Sequence, residues 1–175
     1  MYRILVRIFR VCCLSICLFS ILPTILCAQE KDTIVNPGLD LVKYVFQDTI
    51  GKNVTFQEFK GKYILLDIWA SWCYPCINEF PHFDSLKNEL RDKNIVFVQL
   101  SCDQQAFRWK GAVAMFKRKG IQWFLNGDKQ FMIDLKVGYI PRYILIDRKG
   151  VLMNAYMPRA SSPDLKRNLE QLEGI

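Results

Sequence analysis

The chain has 175 residues, of which 51% are hydrophobic, and this length supports one well-buried core rather than two independent domains. Its formal net charge is +7 at neutral pH. The basic residues are scattered along the chain and form no stripe with aromatic side chains, which argues against a nucleic-acid-binding protein.

Residues 1–28 have the composition of an export signal peptide. The first ten residues contain three arginines and no acidic residue, and an apolar run covers residues 11–22. Ala28 offers a small residue before a cleavage site, so we expect the mature chain to start near Gln29. Without the three arginines the formal net charge falls from +7 to +4.

Two alternatives apply to the same segment. An uncleaved segment would remain as a membrane anchor, and Cys27 could be a lipid-modified first residue of the mature chain. The apolar run is short for a full span of about 20 residues, and a lipid-modification site normally has a small residue where Leu26 stands. We therefore expect export after cleavage, with membrane association through residues 1–28 if the segment is retained.

The cysteines divide between this segment and the rest of the chain. Four of the seven lie in residues 1–28, so the mature chain keeps Cys73, Cys76 and Cys102. One close pair and one odd thiol do not make a structural disulfide framework. In an oxidising compartment a close pair is either oxidised or held reduced by a dedicated partner.

After a polar lead-in over residues 29–42, short apolar runs alternate with helical periodicity. Residues 63–69 are almost wholly apolar, as expected of a strand buried on both faces, and Asp67 is their single polar member. An amphipathic helix then continues to about residue 91, with a second buried strand over 95–100. Short apolar runs over 44–46 and 54–56 precede the first of these strands.

The second half of the chain continues this alternation. Its expected elements are a helix over 107–119, a strand over 122–125, a brief segment over 131–135, strands over 143–146 and 151–153, and a last helix that begins at Ser162 and Pro163. The basic run Lys117–Lys119 is expected at a helix end, where cations favour the exposed carbonyls. This order of elements predicts an α/β sandwich with a mixed sheet.

Cys73 and Cys76 lie where the central strand gives way to a helix. Two residues between cysteines in the first turn of a helix place the Cα atoms within the roughly 4.4 to 6.8 Å that a disulfide tolerates. The first cysteine faces the free amides and the positive end of the helix, which lower the pKa of its thiol. Cys73 is therefore the predicted nucleophile, and Cys76, one turn further, the predicted resolving thiol.

Half of a zinc site is the main structural alternative for such a cysteine pair. A closed structural zinc site needs four ligands. The chain's single histidine, His82, lies on a different face of the helix from both cysteines, and Cys102 alone does not complete the set. No metal site is therefore expected.

Two motifs in the right order resemble the thioredoxin superfamily. LDIWASWCYPC over residues 66–76 resembles its active-site strand and turn, and VGYIPRYILID over residues 137–147 resembles its cis-proline segment. The resemblance covers residues 43–172 and implies a domain over 43–175 with a three-layer sandwich, in which helices flank a mixed central sheet.

Within the superfamily the chain is most similar to the exported TlpA/ResA-like branch. The export segment, the position of Glu79 ahead of Pro81, and the 65 residues that separate Cys76 from Pro141 all favour this branch. The long separation leaves room for an extra helix and strand before the cis-proline. The helix over 107–119 and the strand after it would be that insertion.

The resemblance also implies a substrate-binding surface. Pro141 would be cis and would bring the Ile140 backbone beside Cys73, where it can pair with an extended substrate. Arg142 stands where the family often has threonine, a departure that bears on substrate contacts. The implied substrate-binding residues are Trp72, Tyr74, Pro75, Ile140 and Pro141.

Two carboxylates are predicted to take part in catalysis. Asp67 matches a family position at which a buried acid relays a proton to the resolving cysteine, and burial raises a carboxyl pKa towards neutrality. The alternative for Asp67 is a hydrogen-bonded structural carboxylate. For Glu79 the alternative is a solvated residue near the helix start.

The resemblance implies a thiol-disulfide oxidoreductase that reduces disulfides of exported proteins, apocytochromes being one example. Electrons would come from a membrane thiol donor, and the redox-active Cys73–Cys76 disulfide would need no other cofactor. One alternative is a Cu(I)-handling protein, although no Met- or His-rich tract supports it. Another is a peroxiredoxin-like peroxidase, against which the close cysteine pair and the lack of an isolated Thr-x-x-Cys nucleophile after residue 28 both argue.

Overall fold

The structure is a computed structural model that describes residues 37–175. The signal peptide expected over residues 1–28, and the anchor considered as its alternative, lie outside the described residues. Within residues 37–175 no helix combines the length and apolar character that a membrane crossing requires.

Seven strands form one mixed sheet in the order β2-β1-β5-β4-β3-β6-β7. The strands are β1 (Phe46–Asp48), β2 (Asn53–Val54), β3 (Tyr63–Trp69), β4 (Ile95–Ser101), β5 (Ile121–Phe124), β6 (Arg142–Ile146) and β7 (Leu152–Met157). β3, β4 and β5 are parallel, whereas β6 pairs antiparallel with β3, and β1 pairs antiparallel with β5. The mixed α/β sandwich is therefore confirmed.

Within the described residues four α-helices cover the two faces of the sheet. They are α1 (Tyr74–Glu89), α2 (Ala106–Met115), α3 (Lys129–Asp134) and α4 (Pro163–Glu170), and a short 3-10 helix spans Phe56–Phe59. Ser162 caps α4 by accepting a hydrogen bond from the Asp164 N–H, with Pro163 in its first turn. The three-layer arrangement is thus confirmed.

Central strand β3 shows why helices lie on both faces. Successive side chains of a strand point to opposite faces, and every residue of β3 is buried. Leu66 packs in one core with Phe131 of α3, whereas Leu65 packs in another with Phe83 of α1 and Leu165 of α4. Two apolar layers on opposite faces therefore hold β3 at the centre.

The helix and strand expected as an insertion are α2 and β5. β5 pairs parallel with β4 and lies between β4 and β1 in the sheet. α2 ends at Met115 rather than at residue 119, because Lys117 takes a left-handed conformation with φ of 51°. The basic run Lys117–Lys119 follows this helix end, and the side chain of Arg118 within it is only 4% exposed.

The chain ahead of β1 is also packed. Leu41, in the segment expected as a lead-in, is fully buried in the core that contains Leu66. The Gly38 N–H donates to the Leu152 carbonyl and the Leu41 N–H to the Gly150 carbonyl. The core therefore extends into the part of the lead-in that the structure describes.

Candidate functional site

Cys73 is the N-cap residue of α1, directly after the turn that ends β3. Its Sγ accepts a hydrogen bond from the Cys76 backbone N–H at 3.2 Å, and its carbonyl accepts from the Ile77 N–H at 3.1 Å. The two cysteines form a disulfide with their Cα atoms 5.3 Å apart. The pair therefore lies at the helix start, as the spacing indicates, and both side chains are buried.

A buried carboxylate holds the turn that leads into Cys73. Asp103 Oδ2 accepts from the Ser71 backbone N–H at 2.9 Å, and Oδ1 accepts from the Ser71 hydroxyl at 2.7 Å. Asp103 is not among the functional residues predicted from the sequence. The Ser-Cys-Asp run at the end of a buried parallel strand could have indicated it, because the carboxyl ends of parallel strands meet at one edge of the sheet.

A cavity of about 560 Å³ opens beside Cys73. Its walls are mostly apolar or aromatic, and its exposed rim consists of Trp72, Tyr74 and Tyr139, with 66%, 71% and 64% of their surface accessible. The complete lining is Trp72, Cys73, Tyr74, Pro75, Cys102, Met132, Val137, Gly138, Tyr139 and Ile140. The cavity therefore presents an apolar and aromatic surface directly beside the disulfide.

Four of the expected substrate-binding residues line this cavity, namely Trp72, Tyr74, Pro75 and Ile140. Met132, Val137, Gly138 and Tyr139 also line the cavity and were not among the substrate-binding residues predicted from the sequence. All of them precede Pro141 in the sequence, and this position could have indicated that they contact the substrate. Only the folded chain brings them next to Cys73.

The Ile140–Pro141 peptide bond is cis, as the resemblance implies. Ile140 and Cys73 both line the cavity, whereas Pro141 does not and instead lines a neighbouring cavity with Arg142. The Arg142 side chain is buried between two tyrosine rings, with Cζ 4.3 Å from the centre of Tyr139 and 4.0 Å from that of Tyr156. Arg142 therefore packs against the ring of the rim residue Tyr139 and does not line the cavity.

Asp67 lies buried in β3 on the same face as Leu65, which packs against Phe83 of α1. Its Oδ2 accepts a hydrogen bond from Gln99 Nε2 at 2.8 Å, and Oδ1 has no hydrogen-bond partner among residues 37–175. Burial raises the pKa of this carboxyl to about 7; the Gln99 hydrogen bond and the positive charge of Arg118 act against the rise, and Glu79 adds to it. A carboxyl that titrates near neutrality can either accept or donate a proton.

Glu79 is buried as well, with 6% of its surface exposed. Its two carboxylate oxygens accept hydrogen bonds from Ser161, at 2.8 Å from the backbone N–H and 2.9 Å from the hydroxyl. The alternative of a solvated residue is therefore wrong. Glu79 ties α1 to the segment that precedes α4, and its proposed part in catalysis stays a prediction.

Cys102 is a free, half-buried cysteine that lines the same cavity as Cys73. Burial raises the pKa of its thiol to about 11, and the neighbouring Asp103 carboxylate adds to the rise. The thiol is therefore protonated at neutral pH, in which form it is a poor nucleophile.

Comparisons with known proteins agree with this geometry. The Redoxin family matches residues 34–171. A crystal structure from Bacteroides vulgatus, of a protein assigned as a thiol-disulfide oxidoreductase, superposes with a TM-score of 0.73 at 34% identity and covers 79% of this chain and 98% of that one. The thiol-disulfide oxidoreductase ResA of a Bacillus cereus strain is 25% identical over 135 residues, which are 77% of this chain and 78% of ResA.

ResA from a second Bacillus species is also similar to this chain. The thiol-disulfide oxidoreductase ResA of Bacillus subtilis is 29% identical over 119 residues, which are 66% of this chain and 64% of that protein. Together with the cysteine pair at the start of α1 and the cis peptide bond at Pro141, these matches establish that the chain belongs to the Redoxin family of the thioredoxin superfamily, as a ResA/TlpA-like thiol-disulfide oxidoreductase.

Proposed function

We propose that this protein reduces disulfide bonds of exported proteins with the dithiol of Cys73 and Cys76. The observation that carries the proposal is the position of Cys73 Sγ, which faces the Cys76 N–H at the start of α1 and lies beside an open apolar cavity. The helix start stabilises a thiolate. The cavity gives a partner polypeptide access to that sulfur.

The proposed reaction transfers two electrons from the dithiol to the client. The Cys73 thiolate attacks one sulfur of the client disulfide, so that a mixed disulfide forms and the first client thiolate leaves. Cys76 then gives its proton to the Asp67 carboxylate and attacks Cys73 Sγ, which releases the second client thiolate. The client is now a dithiol, and the protein holds the Cys73–Cys76 disulfide.

Client recognition is proposed to use the cavity and the cis-proline segment. The Ile140 backbone would pair with an extended stretch of the client, and the aromatic rim of Trp72, Tyr74 and Tyr139 would contact apolar side chains that flank its disulfide. Recognition of this kind suits unfolded or partly folded clients, because folded proteins rarely expose extended apolar segments.

The protein is proposed to act in the bacterial periplasm and to be re-reduced there by a membrane-bound dithiol donor. The export signal expected over residues 1–28 supports this location. An oxidising compartment also makes a dedicated donor necessary for a reductase. No cofactor beyond the cysteine pair is needed, since the disulfide itself stores the two electrons.

Trapping the mixed disulfide tests this proposal. Cys76→Ser, incubated with a disulfide-bonded client such as insulin, is expected to accumulate a mixed disulfide through Cys73 and to lose catalytic turnover. The matched control is Cys102→Ser, which removes a thiol from the same cavity and should retain turnover. Insulin reduction that survives Cys76→Ser would contradict the two-cysteine mechanism.

The direction of electron flow is tested by the reduction potential of the Cys73–Cys76 couple, measured against glutathione. A potential close to that of thioredoxin, about −270 mV, is expected for a reductase. A value close to that of a strong oxidant, about −120 mV, would instead indicate that the protein introduces disulfides.

A further inference from the structure

A chain of polar side chains connects Asp67 to the outer side of α1. Gln99 of β4 lies opposite Asp67 in the parallel ladder, and its Nε2 donates to Asp67 Oδ2 at 2.8 Å. Arg118 follows α2 in the sequence. Its guanidinium donates to Gln99 Oε1 from Nη2 at 2.8 Å and from Nε at 3.2 Å. The same guanidinium donates two hydrogen bonds, of 2.6 and 3.0 Å, to the carboxylate of Asp84 in α1.

These contacts determine which way the Gln99 amide points. An amide side chain presents a carbonyl oxygen on one side and an NH2 group on the other. The Gln99 oxygen accepts from Arg118 and also from Gln122 Nε2, at 2.9 Å. Turning the amide over would put its NH2 group against these donors and its oxygen against the Asp67 carboxylate. Only the NH2 group can therefore face Asp67 while Arg118 is in place.

Arg118 is itself fixed from several sides. The left-handed residue Lys117 turns the chain at the end of α2, and the guanidinium then lies over the Phe80 ring, with Cζ 4.0 Å from the ring centre. Lys87 donates to the Asp84 oxygen that also receives Arg118 Nη2, at 2.9 Å. A planar guanidinium stacked on a ring and paired with a carboxylate keeps one orientation.

The orientation of Gln99 matters for the charge of Asp67. An N–H donor stabilises a carboxylate, whereas an amide oxygen could accept only from the protonated acid. In the disulfide form the charged or titratable groups that act on Asp67 are Arg118 from beyond α2, Glu79 from α1 and Tyr143 from β6, and reduction adds the Cys76 thiol of α1. Of these only Arg118 is positive, so it favours the carboxylate both by its charge and by its hold on Gln99.

We propose that Arg118 is a positioning residue, which holds the N–H side of Gln99 toward Asp67 and so keeps Asp67 able to accept the Cys76 proton near neutral pH. The catalytic half of this proposal rests on the proposed function, in which Asp67 is the proton acceptor. The effect of Arg118 on the titration of Asp67 does not depend on that function.

Arg118→Met tests the proposal in the full chain, because methionine keeps apolar bulk over Phe80 but removes the charge and the donors. The matched control is Arg91→Met, which removes an exposed arginine paired with the exposed Asp92. Two readouts are needed for each variant: the titration of Asp67, followed by NMR of its labelled carboxyl carbon, and the pH profile of mixed-disulfide resolution by Cys76.

Arg118→Met is expected to raise the titration midpoint of Asp67 by about one pH unit and to move the pH profile of resolution upward by the same amount. Arg91→Met should leave both the midpoint and the pH profile unchanged. Arg118→Lys keeps the positive charge but lacks the planar guanidinium, so its upward shift should be smaller than that of Arg118→Met. If Arg118→Met does not fold, Gln99→Met replaces it, with the same upward shift expected.

An unchanged Asp67 midpoint in Arg118→Met, or in Gln99→Met where that replaces it, would overturn the proposal, even if the protein remains an active reductase. A midpoint that moves while the pH profile of resolution stays in place would have a different meaning. It would support the hold of Arg118 on Asp67 and overturn the role of Asp67 as proton acceptor, so the two failures are distinguishable.

Discussion

Ser71 and Asp103 are joined by two hydrogen bonds across the edge of the sheet, one from the Ser71 backbone and one from its hydroxyl. The Ser101 hydroxyl donates to the same carboxylate at 2.8 Å. Asp103 therefore links the end of β4 to the turn that presents Cys73. A side chain with no redox chemistry of its own thus defines where the reactive sulfur lies.

Asp103→Ala is expected to lower the free energy of unfolding by about 2 to 3 kcal/mol, because it leaves three donors without their buried acceptor. Denaturant unfolding of the oxidised protein measures this loss. Asp92→Ala removes an exposed carboxylate and should change the stability by less than about 0.5 kcal/mol. Equal stabilities for the two variants would show that the carboxylate does not hold the turn.

Asp67→Asn should change how stability depends on pH. Burial raises the pKa of the Asp67 carboxyl to about 7, whereas an unfolded aspartate titrates near 3.9. Between about pH 4 and pH 7 the folded protein therefore binds one more proton at this site than the unfolded chain, and this site's contribution to stability falls as pH rises. Above about pH 7 the loss is complete.

The wild type is therefore expected to lose a few kcal/mol of stability relative to Asp67→Asn between about pH 4 and pH 8. Urea unfolding of both oxidised proteins across this range gives the difference directly, and the other carboxylates cancel in the comparison. Parallel stability curves would mean that Asp67 is already ionised well below neutrality in the folded protein.

Tyr139→Ala is expected to raise KM for a disulfide-bonded peptide about tenfold and to leave the reduction of a small-molecule disulfide unchanged. Tyr139 supplies apolar contact area at the cavity rim, and about 1.4 kcal/mol of lost contact corresponds to a factor of ten in affinity. Phe107→Ala is the control, because Phe107 is similarly exposed but does not line the cavity. Equal effects of both variants on peptide KM would remove Tyr139 from the substrate-binding surface.

Cys102→Ser is expected to retain insulin reduction within about twofold. Because burial raises the pKa of the Cys102 thiol to about 11, the thiolate is scarce at neutral pH and competes poorly with Cys73. Mass spectrometry of the alkylated wild type under mild oxidant provides the complementary test. Recovery of Cys102 in a mixed disulfide would identify it as a third redox thiol.

The fold and the cysteine site could be predicted because their signals are local. An apolar run predicts β3, and two cysteines spaced one turn apart at a strand-to-helix junction indicate their own chemistry. The cis bond at Pro141 came only from the family resemblance, since an X-Pro pair is cis in about 5 to 6% of folded cases.

Arg118 could not be predicted in the same way. A basic run after an amphipathic helix normally lies in solvent, and the partners that bury this arginine, Asp84 and Phe80, are distant in sequence. Glu79 is similar, because its burial depends on Ser161, which lies 82 residues away. Contacts of this kind arise from the packing of α1 against later parts of the chain and have no periodic signal.

The activation of Cys73 at the start of α1 is the claim on which the rest depends. Its most direct test is alkylation of the fully reduced protein over a range of pH, with each cysteine followed separately by mass spectrometry. Cys73 is expected to react as a thiolate well below the ordinary cysteine pKa of about 8.5, while Cys76 stays protonated at neutral pH. If Cys73 and Cys76 both react as ordinary cysteines, the helix start does not activate the sulfur and the proposed mechanism is contradicted.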